Sequence, residues 1–285
     1  VMNMYYTRLL VPDIRLKKCY VHWIKVKELI SAGMWNSISR LSQVLSDGLD
    51  LVITNIWISA YLMGELSIAQ QIPTYISTLT NTLINLFSPN LTMYYAKDDT
   101  EAVVKELKLS MKFSSFFVNI IFCILVIFGK YFMQLWVPNQ DVNLIYSLLV
   151  VIMMSLLVSG VTTSLNNVFL VTNRLKVNSI FWLIISFTNV LLVFIFLNTT
   201  SLGIYAVAGV SKVTGILGNL IFVPLYACKC LKIKWNTFYP IIFRYIGTTF
   251  IMMIVFFGIK RLYVLPINWI TFFVVCVIAG FAGCI

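Results

Sequence analysis

The chain has 285 residues, of which 60% are hydrophobic and only 11% are charged, and its mean hydropathy is +0.92. These values exclude a soluble globular protein and predict a chain that crosses a membrane several times. The formal net charge of +11 is more typical of cytoplasmic loops than of a nucleic-acid-binding face, which would need a soluble surface, so no nucleic-acid partner is expected.

The first 26 residues are predicted to hold the end of a preceding helix and a basic linker. The opening VMNMYY lacks the apolar core of a signal peptide and is interpreted as the tail of an earlier helix. Residues 7–26 mix lysines and arginines with aromatic residues, and Pro12 ends any helix that would run through. We expect this linker to lie at the cytoplasmic interface, anchored by Tyr20 and Trp23.

The rest of the sequence predicts an all-α, polytopic membrane bundle of about eight transmembrane helices. Apolar stretches of about 20 residues are long enough to cross a hydrocarbon core of roughly 30 Å, and the connections between them are short. The predicted spans are residues 27–59, 65–96, 104–129, 142–172, 176–197, 203–228, 238–260 and 265–285.

The basic residues predict the orientation of this bundle. Most of the 21 lysines and arginines fall in the linker and in segments 97–112, 173–176 and 229–234, which are therefore assigned to the cytoplasmic side. The predicted outside loops hold only Lys130, Lys260 and Arg261. The last two make the final hairpin the weakest part of this assignment.

The first span carries a polar stripe that is unusual in so apolar a chain. Steps of three and four residues keep the members of the stripe on one face of a helix. They are Gly33, Asn36, Arg40, Gln43, Asp47, Asp50 and Thr54. The second span has a similar series that includes Asn81 and Asn85, and polar residues also recur in the fourth span and in the sixth, which includes Ser211, Lys212, Thr214 and Asn219. These faces predict a hydrophilic cavity, although Ser, Thr and Asn can also simply join helices.

The charged members of these faces are harder to explain by packing. A charge at the centre of a bilayer costs on the order of 3 kcal/mol on insertion scales, so such residues usually pair or face water. Arg40 is predicted near mid-membrane, with Asp47 and Asp50 further toward the outside and Lys212 at a depth comparable to Asp47. Lys212 could pair with either aspartate, and the set either fixes helix register or lines a transport path.

The sequence offers little for catalysis or metal binding. Cys228 and Cys230 lack the partners of a zinc site, His22 stands apart from any cluster, and the cysteines are predicted to be buried or membrane-facing thiols. The outside loops are short and poor in carboxylates, so a membrane enzyme of glycan assembly is disfavoured. We expect no catalytic residue, no metal and no cofactor, with proton or sodium coupling left open.

Several segments resemble polysaccharide flippases, the exporters of O-antigen and related lipid-linked oligosaccharides in the superfamily of multidrug and toxin extrusion proteins and the lipid II flippase. They are VPDIRL, KELISAGMWNSISRLSQVLSDGLDLVI, LFSPNLTMYYAKDD, LWVPN, TNRLKVNSIFWLIISFTNVLLVFIF and GIYAVAGVSKVTGILGNLIFVPLYACKCLKI. The resemblance implies two six-helix bundles joined by the linker. Residues 27–228 would be the second bundle, and residues 229–285 a basic loop and an additional helix pair.

The same resemblance implies a multi-pass protein of the bacterial inner membrane that moves an undecaprenyl-diphosphate-linked oligosaccharide by alternating access, for O-antigen, capsule or exopolysaccharide synthesis. Its partners would be that substrate, membrane lipids and a first bundle absent from this sequence. The candidate cavity residues are our inference from helical spacing and, for Arg40 and Lys212, from predicted burial: Asn36, Arg40, Gln43, Asp47, Asp50, Asn81, Asn85 and Lys212. Three alternatives remain at this stage: a cation-coupled multidrug exporter that uses Asp47 and Asp50, the disfavoured membrane enzyme of glycan assembly, and a non-transporting scaffold left by gene truncation.

Overall fold

The computed structural model describes residues 22–262, 268–270, 272–274, 277 and 280. It leaves out the side chains of Glu28, Leu29, Ala32, Gln43, Ser46, Asp47, Ile259 and Leu262. Every regular element within this part of the chain is helical, which confirms the predicted all-α class. The predicted linker up to residue 21 and most of the eighth span lie outside the described residues.

The helices follow one another with short connections. Helix α1 covers Trp23–Ile53 and continues as a π-helical turn, Thr54–Ile58. Helices α2, α3 and α4 cover Ala60–Asn85, Ser88–Ala96 and Thr100–Trp136. Helix α5, Val142–Thr162, leads through a 3₁₀ turn, Thr163–Leu165, into α6, Asn166–Val171. Helix α7 covers Leu175–Thr199, α8 covers Ile204–Leu217, the π-helical turn Gly218–Phe222 follows, and α9 and α10 cover Val223–Leu231 and Tyr239–Leu262.

Local side chains explain where several helices begin. Ser59 accepts a hydrogen bond from the backbone N–H of Leu62, and Asp99 accepts one from Ala102, which satisfies N–H groups that a helix start leaves unpaired. Asp141 does the same for α5. Between helices, Asp98, Asn173, Gly203 and Lys232 adopt a positive φ and turn the chain.

Seven of the eight predicted spans correspond to these helical segments. The largest boundary error is at the third span, since α4 continues to Trp136 whereas the sequence analysis ended the span at residue 129. Lys130 was interpreted as the start of a loop, but a lysine is compatible with a helix that projects from the membrane. Helix α4 ends two residues before Pro138, which cannot continue a helix.

Five described segments are long and apolar enough to cross a membrane: Thr100–Trp136, Val142–Val171, Leu175–Thr199, Ile204–Leu231 and Tyr239–Gly258. The chain is a polytopic helical membrane protein. Helices α1 and α2 are not in this set, although the described stretch Gly48–Ile58 at the end of α1 is a shorter apolar helix. They nevertheless belong to the bundle, since α1 packs along α7 and α2 packs along α5.

Helices α4 and α5 form the centre of the bundle, and α10 packs against the other side of α4. The two central helices approach closely at Gly160, where an added Cβ would lie only 2.8 Å from a methyl group of Val118. Phe122, Phe128, Leu148 and neighbouring apolar residues fill the surrounding core. Cys123 on α4 and Cys228 and Cys230 on α9 are buried thiols, as predicted.

Lys260, a weak point of the predicted orientation, is held by protein contacts. Its ammonium donates a hydrogen bond to the backbone oxygen of Ile127 at 2.9 Å and lies 5.6 Å from the centre of the Tyr131 ring. A lysine that is bound in this way marks an interhelical contact between α10 and α4. It is therefore weaker evidence about membrane orientation than a lysine in an open loop.

Candidate substrate-binding site

One edge of α1 holds the helix against α7. The hydroxyls of Ser39 and Ser179 are 2.7 Å apart, and Ser186 donates a hydrogen bond to the backbone oxygen of Ser42 at 3.0 Å. Ser179 also donates to the backbone oxygen of Trp35 at 2.8 Å. Small hydroxyl residues allow two helix backbones to approach closely in a membrane. These serines have a packing role.

The other polar edge of α1 remains exposed in the structure. Gly33, Asn36 and Arg40 are exposed, whereas Ser42 is almost completely buried against α7. We call Gly33, Asn36 and Arg40 the α1 polar edge. A guanidinium and an amide on an exposed surface of an apolar bundle can bind anionic and hydroxyl groups. Asn36 and Arg40 are therefore accessible, as residues of a cavity wall must be. Their role in binding stays a prediction.

The predicted stripe continues through Gln43 and Asp47. Their backbone belongs to α1, but both side chains lie outside the described residues. The backbone register places them between the exposed Arg40 and the buried Asp50 on a continuous helix. Their assignment to the cavity remains a prediction from helical spacing.

Asp50 is buried in a contact between three helices. The carboxylate is only 3% exposed and accepts a hydrogen bond from the hydroxyl of Ser211 on α8 at 2.8 Å. One turn further along α8, the hydroxyl of Thr214 donates to the side-chain oxygen of Asn189 on α7. We call Asp50, Asn189, Ser211 and Thr214 the Asp50 cluster. Its oxygen atoms are of the type that binds hard cations.

The Asp50 cluster also bears on the predicted pairing of Lys212. Lys212 is half-buried and directly follows Ser211, whose hydroxyl contacts Asp50. Helices α1 and α8 are therefore in contact next to Lys212, as a pairing of Lys212 with an aspartate of α1 requires. Whether Lys212 pairs with Asp47 or with Asp50 stays a prediction.

The second predicted face lies on α2. Asn81 and Asn85 are exposed, while Ile76, Thr80 and Ile84 on the same helix are buried. The nearby threonine hydroxyls are used locally, because Thr78 donates to the backbone oxygen of Thr74. The exposed amides of Asn81 and Asn85 are the better candidates for contacts with a substrate, and this assignment also stays a prediction.

Other polar residues of the fourth and sixth spans join helices to one another. Thr162, at the end of α5, donates to the side-chain oxygen of Asn219 at 3.1 Å, and Ser110 donates to Ser164 at 3.0 Å. The first contact connects the end of α5 with the π-helical turn after α8, and the second connects the 3₁₀ turn with α4. For Thr162 and Asn219 the packing interpretation, which the sequence left open, describes the contact that they make.

Two residues of interest were missed by the sequence analysis. Asn189 was overlooked inside the very apolar α7, although Ser186 three residues before it repeats the polar spacing. Glu65 fell at the predicted edge of a span, yet it is only 1% exposed. One of its carboxylate oxygens accepts a hydrogen bond from the N–H of Asp141 at 3.4 Å, and the other has no hydrogen-bond partner among the described residues.

Comparisons with known proteins agree with this architecture. No protein-family model matches the chain. The uncharacterized membrane protein EpsK of Bacillus subtilis (strain 168) is 25% identical over 238 residues, which cover 84% of this chain and 47% of EpsK. The solved structure of the lipid II flippase MurJ, in an inward closed conformation, matches with a TM-score of 0.60 at 16% identity. The two chains share a fold.

The match to MurJ covers 88% of this chain and 51% of that structure. The chain thus spans about half the length of each of the two proteins. Most of the chain therefore has an architecture that is also found in a lipid II flippase.

Proposed function

We propose that this chain is part of a flippase that moves an undecaprenyl-diphosphate-linked oligosaccharide from the inner to the outer leaflet of the bacterial inner membrane. O-antigen, capsule or exopolysaccharide synthesis would use the product. The observation that carries the proposal is the α1 polar edge, which exposes Asn36 and Arg40 in a bundle with the fold of a lipid flippase. A carrier of lipid-linked glycan needs such a polar surface beside an apolar one.

Each part of the substrate has a matching surface. Arg40 binds the diphosphate through charge-assisted hydrogen bonds. The amides of Asn36, Gln43, Asn81 and Asn85 bind sugar hydroxyls, and the polyprenyl tail stays in the lipid. A second bundle of similar size completes the cavity, and rocking of the two bundles exposes the site to each side in turn. The coverage of about half of MurJ supports this division.

We also propose that the Asp50 cluster couples transport to an ion. A carboxylate that is 3% exposed and bonded to the Ser211 hydroxyl, within a membrane bundle, supports binding of a proton or a sodium ion. Because Asp50 lies on the same helix as the α1 polar edge, ion binding at α7 and α8 would bias the position of α1. The ion would bind as a coupled solute and not as a cofactor.

The test uses a bacterial strain in which the gene for the complete protein has been deleted. Wild-type protein should restore surface glycan, and Arg40→Gln should lower it with accumulation of lipid-linked glycan in the inner leaflet, because the diphosphate loses its cation. Arg244→Gln is the matched control, since Arg244 is exposed near the inner end of α10. Full surface glycan with Arg40→Gln at normal expression would contradict the proposal.

A further inference from the structure

A groove of about 460 Å³ lies on the surface of the bundle between α7 and the segment that joins α8 to α9. Its walls include Phe181 and Ile185 from α7 and Ile221 and Leu225 from the other segment. Tyr226 and Lys229 line one end. The groove is therefore apolar along its length and basic at one end.

Aromatic rings give the groove a fixed floor. The rings of Phe181 and Phe222 are stacked with their centres 3.7 Å apart, and Phe222 is stacked on Tyr226 with centres 5.2 Å apart. Gly218 lies beneath, where an added Cβ would come within 3.1 Å of the Trp182 ring. Packed rings have few alternative positions, so the groove persists as a shaped surface.

The length and position of the groove match one leaflet of a bilayer. From Leu217 to Lys229 the chain rises by roughly 18 Å at helical geometry, close to half of a hydrocarbon core of about 30 Å. Lys229 begins the basic segment 229–234, which the distribution of lysines and arginines assigns to the cytoplasmic side. With this predicted orientation, the groove lies along the inner leaflet.

The basic end of the groove is at the level of lipid phosphates. Lys229 is exposed there. The Tyr226 hydroxyl donates a hydrogen bond to the backbone oxygen of Arg174 at 3.2 Å, which brings a second basic residue to the same end. Clusters of lysine and arginine at the inner membrane surface attract anionic lipids. The charge of this end complements a phosphate and disfavours a neutral headgroup.

We propose that this groove binds one anionic glycerophospholipid of the inner leaflet. An acyl chain lies along Ile185, Ile221 and Leu225, and the phosphate contacts Lys229. The groove shares no lining residue with the α1 polar edge or the Asp50 cluster, so the inference does not depend on the proposed function. The bound lipid would fill the space between α7 and the π-helical turn Gly218–Phe222 and hold the two together.

Native mass spectrometry of the complete protein, purified from nanodiscs of equal phosphatidylglycerol and phosphatidylcholine, tests the proposal. Wild-type protein should retain phosphatidylglycerol preferentially. Lys229→Gln should lower that preference roughly fivefold, the effect expected for one basic residue near the membrane surface. Lys234→Gln removes the same charge from an exposed position that does not line the groove, and it should leave the preference unchanged.

Two further variants test the apolar part. Leu225→Trp and Ile221→Trp place a large ring in the groove at exposed positions, where the bundle can tolerate it, and each should reduce retention of the lipid. Equal effects of the two lysine variants, no lipid preference in the wild type, or unchanged retention in both tryptophan variants would overturn the proposal. Displacement of the retained lipid by undecaprenyl phosphate would also overturn it, since the groove would then belong to a prenyl chain.

Discussion

Arg40 and Asp50 lie on the same helix, but their surroundings differ. Arg40 is exposed on the α1 polar edge, whereas Asp50 is 3% exposed and accepts a hydrogen bond from Ser211. A buried carboxylate in a membrane bundle is costly to keep ionised, so it is retained where an ion or a partner binds it. We therefore propose substrate contact for Arg40 and ion coupling for Asp50.

Replacement of Asp50 by Asn removes the negative charge of the side chain and keeps its size and shape. The amide oxygen of Asp50→Asn can still accept the Ser211 hydrogen bond, so the variant should fold and reach the membrane. It should lose the response of transport to a sodium or proton gradient. Ser211→Ala keeps the charge but removes one oxygen of the cluster, so it should weaken the response to the gradient without abolishing it. A transport rate in Asp50→Asn that still follows the gradient would refute ion coupling at this residue.

Charge reversal tests the pairing of Lys212 with Asp47. Each single variant, Asp47→Lys or Lys212→Asp, places two like charges in the bundle and should reduce the amount of protein in the membrane. The double variant restores opposite charges and should recover most of it. Membrane abundance by immunoblot gives the measurement. Failure of the double variant to exceed the single variants would show that the two residues do not pair.

At the scale of elements, the two central helices of the bundle, α4 and α5, approach each other closely. Helices α4 and α5 meet at Gly160, and Thr162, the last residue of α5, donates a hydrogen bond to Asn219 in the π-helical turn after α8. Helices α5 and α8 thus both change to a 3₁₀ or π-helical turn close to the hydrogen bond that links them. Such departures are frequent at positions where helices bend.

Gly160→Ala should destabilise the protein, because the new methyl group would overlap Val118. Overpacking of this kind costs about 1–3 kcal/mol. The thermal unfolding midpoint in detergent should fall, and Val118→Ala in the same chain should restore part of the loss. Gly209→Ala is the matched control, since nothing lies within 4 Å of the added atom. Equal midpoints for Gly160→Ala and Gly209→Ala would contradict the close approach.

The elements were largely predictable from sequence because apolar stretches must be about 20 residues long to cross a bilayer. The 3₁₀ turn and the two π-helical turns, Thr54–Ile58 and Gly218–Phe222, were not predicted. The 3₁₀ turn and the turn Gly218–Phe222 make hydrogen bonds to residues on other helices. The sequence of one helix does not show which other helices will contact it. The end of α4 was missed because the apolar, aromatic segment up to Trp136 suits either a helix or an interfacial loop.

The candidate site was predictable only in part. Helical spacing found the α1 polar edge and Asp50, because three- and four-residue steps fix a face. Spacing could not distinguish Ser39 and Ser42, which face α7, from Asn36 and Arg40, which are exposed, since that depends on where α7 packs. Asn189 was missed for the same reason. Its side chain contacts Thr214 on α8, and the residue spacing within α7 does not show which helix packs against it.

At the scale of the whole molecule, the bundle has a packed centre and an exposed polar surface. Helix α10 packs on α4 through Asn119, which donates to the backbone oxygen of Tyr245 at 3.2 Å. The α1 polar edge lies on a helix whose main packing partner, α7, is on its other side. Because the chain spans about half of MurJ and of EpsK, we propose that a second bundle covers this edge.

Reconstitution tests the central claim most directly. The complete protein would be placed in liposomes with a fluorescently labelled undecaprenyl-diphosphate oligosaccharide, and the fraction of label reached by an external quencher would be followed in time. We predict flipping well above that in protein-free liposomes, reduced about tenfold or more by Arg40→Gln through loss of a charged hydrogen bond, and unchanged by Arg244→Gln. Flipping no faster than in protein-free liposomes, or equal rates for Arg40→Gln and the wild type, would contradict the account.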